Sequence, residues 1–335
     1  MNNPLSQTNE RTSPIDRITD WYIPLEKPYT GYAFPGPVEI EPNDILYPMT
    51  DELLKACKEK YLTKKDFSIR VKNTGYRGHY VSNSVDGSIF IIRKSPQVVP
   101  KMLDLRLPEV HMNILLHKKL KETGGLVIVC GETGQGKSTL CAATLLERMR
   151  MYDSFCYTIE DPPELPLSGK HGNGRCIQTE LHDSDAWGEA LKEAMRCYPA
   201  TSGNMLFVGE TRDKKGAAEL LRIANNGHLV FTTMHADSVE GAIGRLKSLA
   251  SDEVGVNEAN QLMAASVRLV VNQRLIPMQN GTNDKFVKLS LLVSPNATSI
   301  VANKMKRGEA SYGNELHQQE AKMKNDPTGN SLFAQ

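Results

Sequence analysis

Residues 126–139 read LVIVCGETGQGKST, a short apolar run followed by a glycine-rich loop. Gly131, Gly136, Lys137 and Ser138 fit the pattern G-x-x-x-x-G-K-[ST]. In this pattern the glycines turn backbone N–H groups inward around a phosphate, and a helix beginning near the lysine adds the positive end of its dipole. The lysine reaches the β- and γ-phosphates, and the hydroxyl that follows it ligates Mg²⁺. The stretch therefore predicts an ATP site made by Gly131, Glu132, Thr133, Gly134, Gln135, Gly136, Lys137, Ser138 and Thr139.

Beyond this loop, apolar strands alternate with amphipathic helices. FCYTIE (155–160), MLFVGE (205–210) and HLVFTTMH (228–235) are each followed by a helical pattern. Such alternation favours a mostly parallel sheet covered by helices on both faces, with ligands at the carboxyl ends of its strands. We therefore predict an α/β fold with the nucleotide at that edge.

The rest of the chain divides by composition. Residues 1–50 are expected to form a proline-rich arm, because residues 1–48 carry eight of the 18 prolines. We predict a small α+β domain over 51–108, with a helix at 51–62 and three strands after it. A linker helix is expected over 109–125, a nucleotide-binding domain over 126–310 and a polar tail over 311–335.

Composition narrows the class of protein. Forty per cent of the residues are apolar and 24% are charged, which is typical of a globular protein. No run of 18 apolar residues occurs, and the first residues lack the apolar core of an export signal. The six cysteines form no C-x-x-C pair. We therefore expect a reduced, cytoplasmic protein without structural zinc.

The net charge of +1 conceals a basic segment. Residues 55–122 hold 15 Lys and Arg against 6 Asp and Glu, so their balance is +9. Such a segment is compatible with a solvated surface, with nucleic acid, or with phosphates bound by a neighbouring subunit.

Carboxylates and histidines mark three further strand ends. Glu160, with Asp161 and Glu164 close behind, follows one strand, and Glu210 and Asp213 follow another. A carboxylate at such a position can orient water or hold the water shell of a metal, and it can equally cap the next helix. His235 leaves its strand at the carboxyl end, where it could sense the γ-phosphate or position water. His228 lies at the opposite end and is expected to pack.

Four motifs occur in this order along the chain: GETGQGKST, TIEDPPE, FVGETRD and GHLVFTTMHADS. They resemble the Walker A, Asp-box, Walker B and His-box motifs of the secretion superfamily ATPases, the motors of type II secretion, type IV pili and type IV secretion. The resemblance runs from about residue 67 to residue 305 and is closest to pilus-retraction and Dot/Icm-like transfer ATPases.

The resemblance implies a PAS-like N-terminal domain and a RecA-like C-terminal domain, assembled as a hexameric ring. It implies that Glu160 and Glu210 act on water and Mg²⁺, and that His235 belongs to the His box. Arginines of the N-terminal domain approach the nucleotide in this family, which suits charge spread over phosphoryl oxygens. IIRKSP (91–96) makes Arg93 the first candidate and FSIRVKN (67–73) makes Arg70 the second, with Arg77 behind them; each could also be ordinary basic surface. Arg212 matches a family position and could serve packing instead.

The resemblance also implies a location and partners. We expect a cytoplasmic homo-hexamer at the inner face of the inner membrane, attached through inner-membrane platform or secretion-channel proteins.

Two departures from the family bear on which branch of the family the chain resembles. The tetracysteine zinc insert of the pilus-extension and type II secretion members is absent, and the N-terminal domain is shorter than in retraction ATPases.

Two other functions fit a phosphate loop. A RecA-like nucleic-acid motor would grip DNA or RNA with the basic segment, but the aromatic residues there look like alternating core positions, so direct nucleic-acid contact is not expected. A small-molecule kinase would need a lid and an acceptor pocket, and neither is recognisable.

Overall fold

The computed structural model describes residues 17–85, 87–181, 187–199, 204–278 and 285–334. The chain divides into two compact units, residues 1–97 and 98–335.

In its described residues, the first unit is a six-stranded antiparallel sheet packed with the long helix α1 (Tyr47–Lys60). In the sheet order β3-β2-β1-β6-β5-β4, the strands span Val38–Glu39, Tyr32–Phe34, Asp20–Pro24, Gly87–Lys94, Thr74–Ser84 and Asp66–Val71. Its core holds Trp21, Phe90 and Ile92 from the sheet and Leu53 from the helix, each fully buried. The small α+β domain is thus present.

The expected proline-rich arm is wrong for residues 20–39, which form three strands of this sheet. β1 pairs along its length with β6, and its alternation places Trp21 and Ile23 in the core. Pro24 ends the strand and Pro35 lies just after β2, so neither proline removes a donor from a strand interior. Strands this short show little apolar periodicity in the sequence. β1 forms because it pairs with β6, which lies far along the chain.

The second unit is built on an eight-stranded sheet in the order β14-β13-β7-β12-β11-β8-β10-β9. Its strands, in chain order from β7 to β14, are Gly125–Cys130, Phe155–Glu160, Gly169–His171, Gly174–Glu180, Asn204–Val208, Leu229–Met234, Val267–Pro277 and Lys285–Val293. Neighbours from β13 to β10 are parallel, and the edge strands β14 and β9 run antiparallel to their neighbours. The predicted parallel α/β sheet is confirmed.

Helices cover both faces of this sheet, and each face has its own apolar core. One face is covered by α5 (Trp187–Arg196), α6 (Lys214–Asn225), α7 (Val239–Val254), α8 (Val256–Ser266) and α9 (Ile300–Arg307). The other is covered by α2 (Glu109–Leu115), α3 (Lys118–Thr123), α4 (Lys137–Tyr152), α10 (Gly313–Asn325) and α11 (Asn330–Phe333). The strand order sets the phosphate loop, His235, Glu210 and Glu160 side by side, because β7, β12, β11 and β8 are successive neighbours.

The unit boundary falls at residues 97 and 98 rather than at the expected 108 and 109. Val99, Met102 and Leu107 lie in the core of the second unit. The expected linker helix over 109–125 is two short helices, α2 and α3, that pack on the same core through Ile114 and Leu120. This segment is therefore part of the nucleotide-binding unit.

The expected polar tail also belongs to the second unit. Met323, Leu332 and Phe333 are buried in its core, and the Phe333 ring stacks on His117 at 4.0 Å between ring centroids. The Gln319 amide exchanges hydrogen bonds of 2.7 and 2.8 Å with the Val293 backbone. Because only a few widely spaced apolar residues make these contacts, the segment shows no periodicity in the sequence.

Candidate functional site

The loop between β7 and α4 has the shape of an anion-binding turn. Gly134 and Gly136 adopt positive φ angles of 75° and 80°, which glycine accepts at little cost. Gly136 is the N-cap of α4 and no side chain caps that helix end, so its first backbone N–H groups keep their donors for a ligand. Ser138 and Thr139 lie half-buried in the first turn. These features fit a bound phosphate chain.

β13 holds the loop from one side. A Cβ on Gly131 would lie 2.5 Å from the Gln273 carbonyl oxygen, so the backbones meet there. The Gln273 side chain donates to the Gln135 carbonyl at 2.6 Å, and the Leu275 N–H donates to the Gln135 side-chain oxygen at 2.6 Å. The loop is therefore fixed by its neighbour strand.

Lys137 is buried at the centre of this loop. Its Nζ donates to the carbonyls of Gly131 at 3.0 Å and Glu132 at 2.8 Å, and it lies 3.4 Å from Nδ1 of His235. Burial lowers the pKa of Lys137, and the nearby Glu210 carboxylate opposes that shift. An ammonium group held only by neutral acceptors is well placed to meet a phosphate.

Glu210 and His235 stand next to each other at the ends of β11 and β12. Nε2 of His235 lies 3.6 Å from Oε2 of Glu210, and the same carboxylate oxygen accepts a hydrogen bond of 2.7 Å from Arg212. Arg245 donates to the His235 carbonyl at 2.9 Å. Burial lowers the pKa of His235 against the opposing effect of Glu210, which favours the neutral imidazole. A polar chain thus runs from Lys137 through His235 to Glu210.

Glu160 ends β8 and is only 4% exposed. Its Oε1 accepts hydrogen bonds of 2.8 Å from the Thr158 hydroxyl and 2.8 Å from the Gln178 amide. Burial raises the pKa of Glu160 to about 7, although these donors and the Glu164 backbone N–H stabilise the carboxylate. The carboxyl group is therefore poised to change its charge near neutral pH.

Gly209 stands at the end of β11 where a Walker B motif often carries an aspartate, and its surroundings leave little room for a side chain. A Cβ there would lie 3.2 Å from Cγ of Glu160, because the end of β11 runs directly beside the end of β8. Glycine leaves room for the Glu160 side chain, and the carboxylate at the end of β11 belongs to the next residue, Glu210.

Two other polar residues at strand ends have structural contacts. The Asp213 carboxylate caps α6 by accepting from the Gly216 N–H at 2.9 Å. The His228 ring stacks on Tyr198 at 5.1 Å, at the end of β12 opposite the phosphate loop, and burial lowers its pKa. His228 therefore packs, as expected.

The candidate arginines lie in the first unit. Arg93 on β6 forms an ion pair of 2.7 Å with Asp20 on β1, and this partner raises the pKa of Arg93. Arg77 on β5 is its cross-strand neighbour, and Arg70 is exposed on β4. The Arg93 side chain remains 71% exposed despite its ion pair.

Sequence reasoning missed Gln178, Gln273 and Arg245, which hold the site in place. Gln273 is buried in β13, where the apolar residues Leu269, Val270 and Val271 before it are also buried. A polar residue in such a strand must find a partner, and this is the signal that could have found Gln273. Gln178 is half-buried in β10 between the exposed Ile177 and the half-buried Thr179, so the sequence carries no such signal for it.

Among the residues that the structure describes, no helix has the length and apolar character needed to cross a membrane. The same residues contain no group of three or more His, Cys, Asp or Glu side chains that could hold a metal ion.

Comparison with known proteins shows which family the chain belongs to. The family model described as "Type II/IV secretion system protein" matches residues 81–325, well over half of the chain. The chain is 29% identical over 215 residues to the type IV pilus ATPase PilU of Pseudomonas aeruginosa, covering 63% of this chain and 52% of PilU. It is 30% identical over 241 residues to the type IV pilus retraction ATPase PilT of the same organism, covering 71% of this chain and 65% of PilT.

Among solved structures, the Legionella pneumophila ATPase DotB matches with a TM-score of 0.66 at 22% identity, covering 92% of this chain and 84% of DotB. That likeness shows a shared fold. The alignments with PilU and PilT span between about half and two thirds of those relatives' length. The chain belongs to the type II/IV secretion system protein family, and its fold is an N-terminal domain followed along the chain by a RecA-like domain.

Proposed function

We propose that this chain is a motor ATPase that hydrolyses ATP with Mg²⁺ to drive a type IV pilus or a type IV secretion machine. The observation that carries the proposal is the convergence of four strand ends on one edge of the sheet: the phosphate loop, His235, Glu210 and Glu160. The names of PilU and PilT as pilus ATPases support the same class of function.

The surroundings of each residue indicate its role in the proposed reaction. The uncapped start of α4 and the Lys137 ammonium bind the phosphates, and Ser138 would hold Mg²⁺, an ion that commonly takes one or two protein groups plus phosphate oxygens. When bound, this ion would supply positive charge to the phosphoryl oxygens, and the backbone N–H groups of the loop and the Lys137 ammonium donate to the same oxygens. Glu210 orients His235 toward the Lys137 end of the site. Glu160 acts in its ionised form, as an acceptor for the attacking water.

We further propose a hexamer, in which Arg93 and Arg70 reach a neighbouring subunit's nucleotide, acting at the cytoplasmic face of the inner membrane through platform or channel proteins. A nucleic-acid motor is disfavoured because Phe67, Tyr76 and Phe90 of the basic segment are at most 2% exposed and cannot stack on bases.

The test measures the ATPase activity and the mass of the assembled protein. Lys137→Ala should reduce phosphate release from ATP by about a hundredfold or more, because charge stabilisation by this ammonium is lost. Lys247→Ala is the matched control, since Lys247 also donates to a backbone carbonyl, that of Gly308, at 3.0 Å. Light scattering with ATP should give about 223 kDa, six times 37.2 kDa. A monomer whose Lys137→Ala form retains wild-type activity would refute the proposal.

A further inference from the structure

The Gln178 side chain joins Glu160 to the loop that follows it. Its amide NH₂ donates to Oε1 of Glu160 at 2.8 Å and to the Leu165 carbonyl at 2.8 Å. Its oxygen accepts from the backbone N–H groups of Leu167 at 3.1 Å and Ser168 at 3.3 Å. An amide offers two donors and two lone pairs, so this side chain is fully used.

The strand register creates this arrangement. β10 runs parallel to β8, and Gln178 lies opposite Thr158, two residues before Glu160. Thr158 is fully buried and also donates to Oε1 of Glu160, so two side-chain donors from adjacent strands meet on one carboxylate oxygen. Both N–H and O–H donors favour the ionised form of the carboxyl group.

The Glu160 carboxylate depends on these donors because it is buried. A carboxylate taken out of water must find hydrogen bonds within the protein, and the donors to Glu160 are the Thr158 hydroxyl, the Gln178 amide and the Glu164 backbone N–H. The charged group that acts on its pKa is Glu164 on the following loop, and Glu160 in turn raises the pKa of the neighbouring thiols, Cys141 on α4 and Cys156 on β8. None of these supplies a positive charge, so its orientation and its charge depend on neutral donors.

The loop is bound to the same amide. Leu165 and Leu167 are buried in the core beside α4, the helix that begins at the phosphate loop. Loss of order in residues 165–168 would free the Gln178 amide to turn away from Glu160, because all four hydrogen bonds share one planar group.

We propose that Gln178 is a positioning residue for ATP hydrolysis, which holds the Glu160 carboxylate as a hydrogen-bond acceptor and makes that orientation depend on the order of residues 165–168. This inference rests on the proposed function, because the orientation of Glu160 matters for catalysis only if the chain hydrolyses ATP.

Two variants separate the loop contact from the carboxylate contact. Gln178→Met keeps the side-chain length and removes all four hydrogen bonds. Gln178→Glu keeps an oxygen for the Leu167 and Ser168 N–H groups but removes the NH₂ that donates to Glu160 and to the Leu165 carbonyl, and its carboxylate adds a like charge that further destabilises the ionised Glu160. Gln319→Met is the control, because Gln319 is equally half-buried and makes the same kind of bonds to Val293, away from the site.

We expect both Gln178 variants to lower kcat about tenfold or more at pH 7, with the Kd for a fluorescent ADP analogue unchanged within about twofold. Removing the donor destabilises the carboxylate, so the acidic limb of kcat/KM against pH should move to higher pH in both variants and activity should partly return near pH 8.5. Gln319→Met should keep the wild-type kcat and the wild-type limb.

Three outcomes overturn the inference: wild-type kcat in Gln178→Glu, an unmoved acidic limb in both Gln178 variants, or an equal loss in Gln319→Met. Failure of the proposed function looks different, since the wild-type protein would then show no phosphate release that depends on Lys137.

Discussion

The protonation of Glu160 should govern activity across neutral pH. Burial raises the pKa of this carboxyl group from 4.5 to about 7. With that value, about 10% of the molecules carry an ionised Glu160 at pH 6, about 50% at pH 7 and about 90% at pH 8. If hydrolysis needs the carboxylate, kcat/KM should rise about fivefold from pH 6 to pH 7 and about twofold more to pH 8.

Activity should rise with pH, because the ionised form of Glu160 is the form that acts. The raised pKa keeps Glu160 protonated below pH 7, so activity is lost as the pH falls through the folded-state value. An exposed glutamate would give a flat profile between pH 6 and pH 8, because it would already be ionised throughout. Burial lowers the pKa of His235, which favours the neutral imidazole over the range in which Glu160 titrates.

The assay is phosphate release over pH 5.5–9 at constant ionic strength with Mg²⁺ in excess, analysed as kcat/KM because this ratio reports the free enzyme. Glu160→Gln is the control variant, since glutamine keeps the shape and cannot titrate. Its residual activity should be low and independent of pH near 7. A flat wild-type profile from pH 6 to pH 8, or a limb near pH 7 that persists in Glu160→Gln, would refute the reasoning.

Three further predictions concern the loop, the tail and a cap. Gly131→Ala should weaken ATP binding about tenfold or more in a fluorescence titration, because its Cβ would lie 2.5 Å from a backbone oxygen; Gly134→Ala meets no atom within 4 Å and bears only the strain of its positive φ, so it should lose less. Phe333→Ala should destabilise the second unit by about 3–5 kcal/mol in urea unfolding, and an unchanged midpoint would contradict the packing of the tail. Asp213→Ala should cost about 1 kcal/mol in the same measurement, whereas Asp213→Asn, which can still cap, should cost less.

The local features of the site could be predicted from the sequence. A phosphate loop lies within nine consecutive residues, and its glycines and lysine act through backbone turns and a helix end that form next to it in the chain. The parallel sheet could be predicted because strand and helix periodicities are themselves local, and the carboxyl-end rule then places Glu160, Glu210 and His235 at one edge.

Contacts between residues distant in the chain could not be predicted in this way. β1 joins its sheet through β6, about 70 residues later, and Phe333 is buried against His117, more than 200 residues earlier. Neither segment has enough apolar residues to show a period by itself. Their burial depends on surfaces that exist only after the rest of the unit has folded.

The sequence by itself determined that a nucleotide-binding α/β unit follows a small α+β domain and which strand ends carry its polar side chains. The tertiary structure decided how those side chains act. Burial, a property of the assembled sheet and helices, raises the pKa of Glu160 to about 7. The neighbouring strands decide that Gly209 makes room for Glu160 and that Gln178 holds its carboxylate, because side chains on separate strands meet only when the strand order and register are fixed.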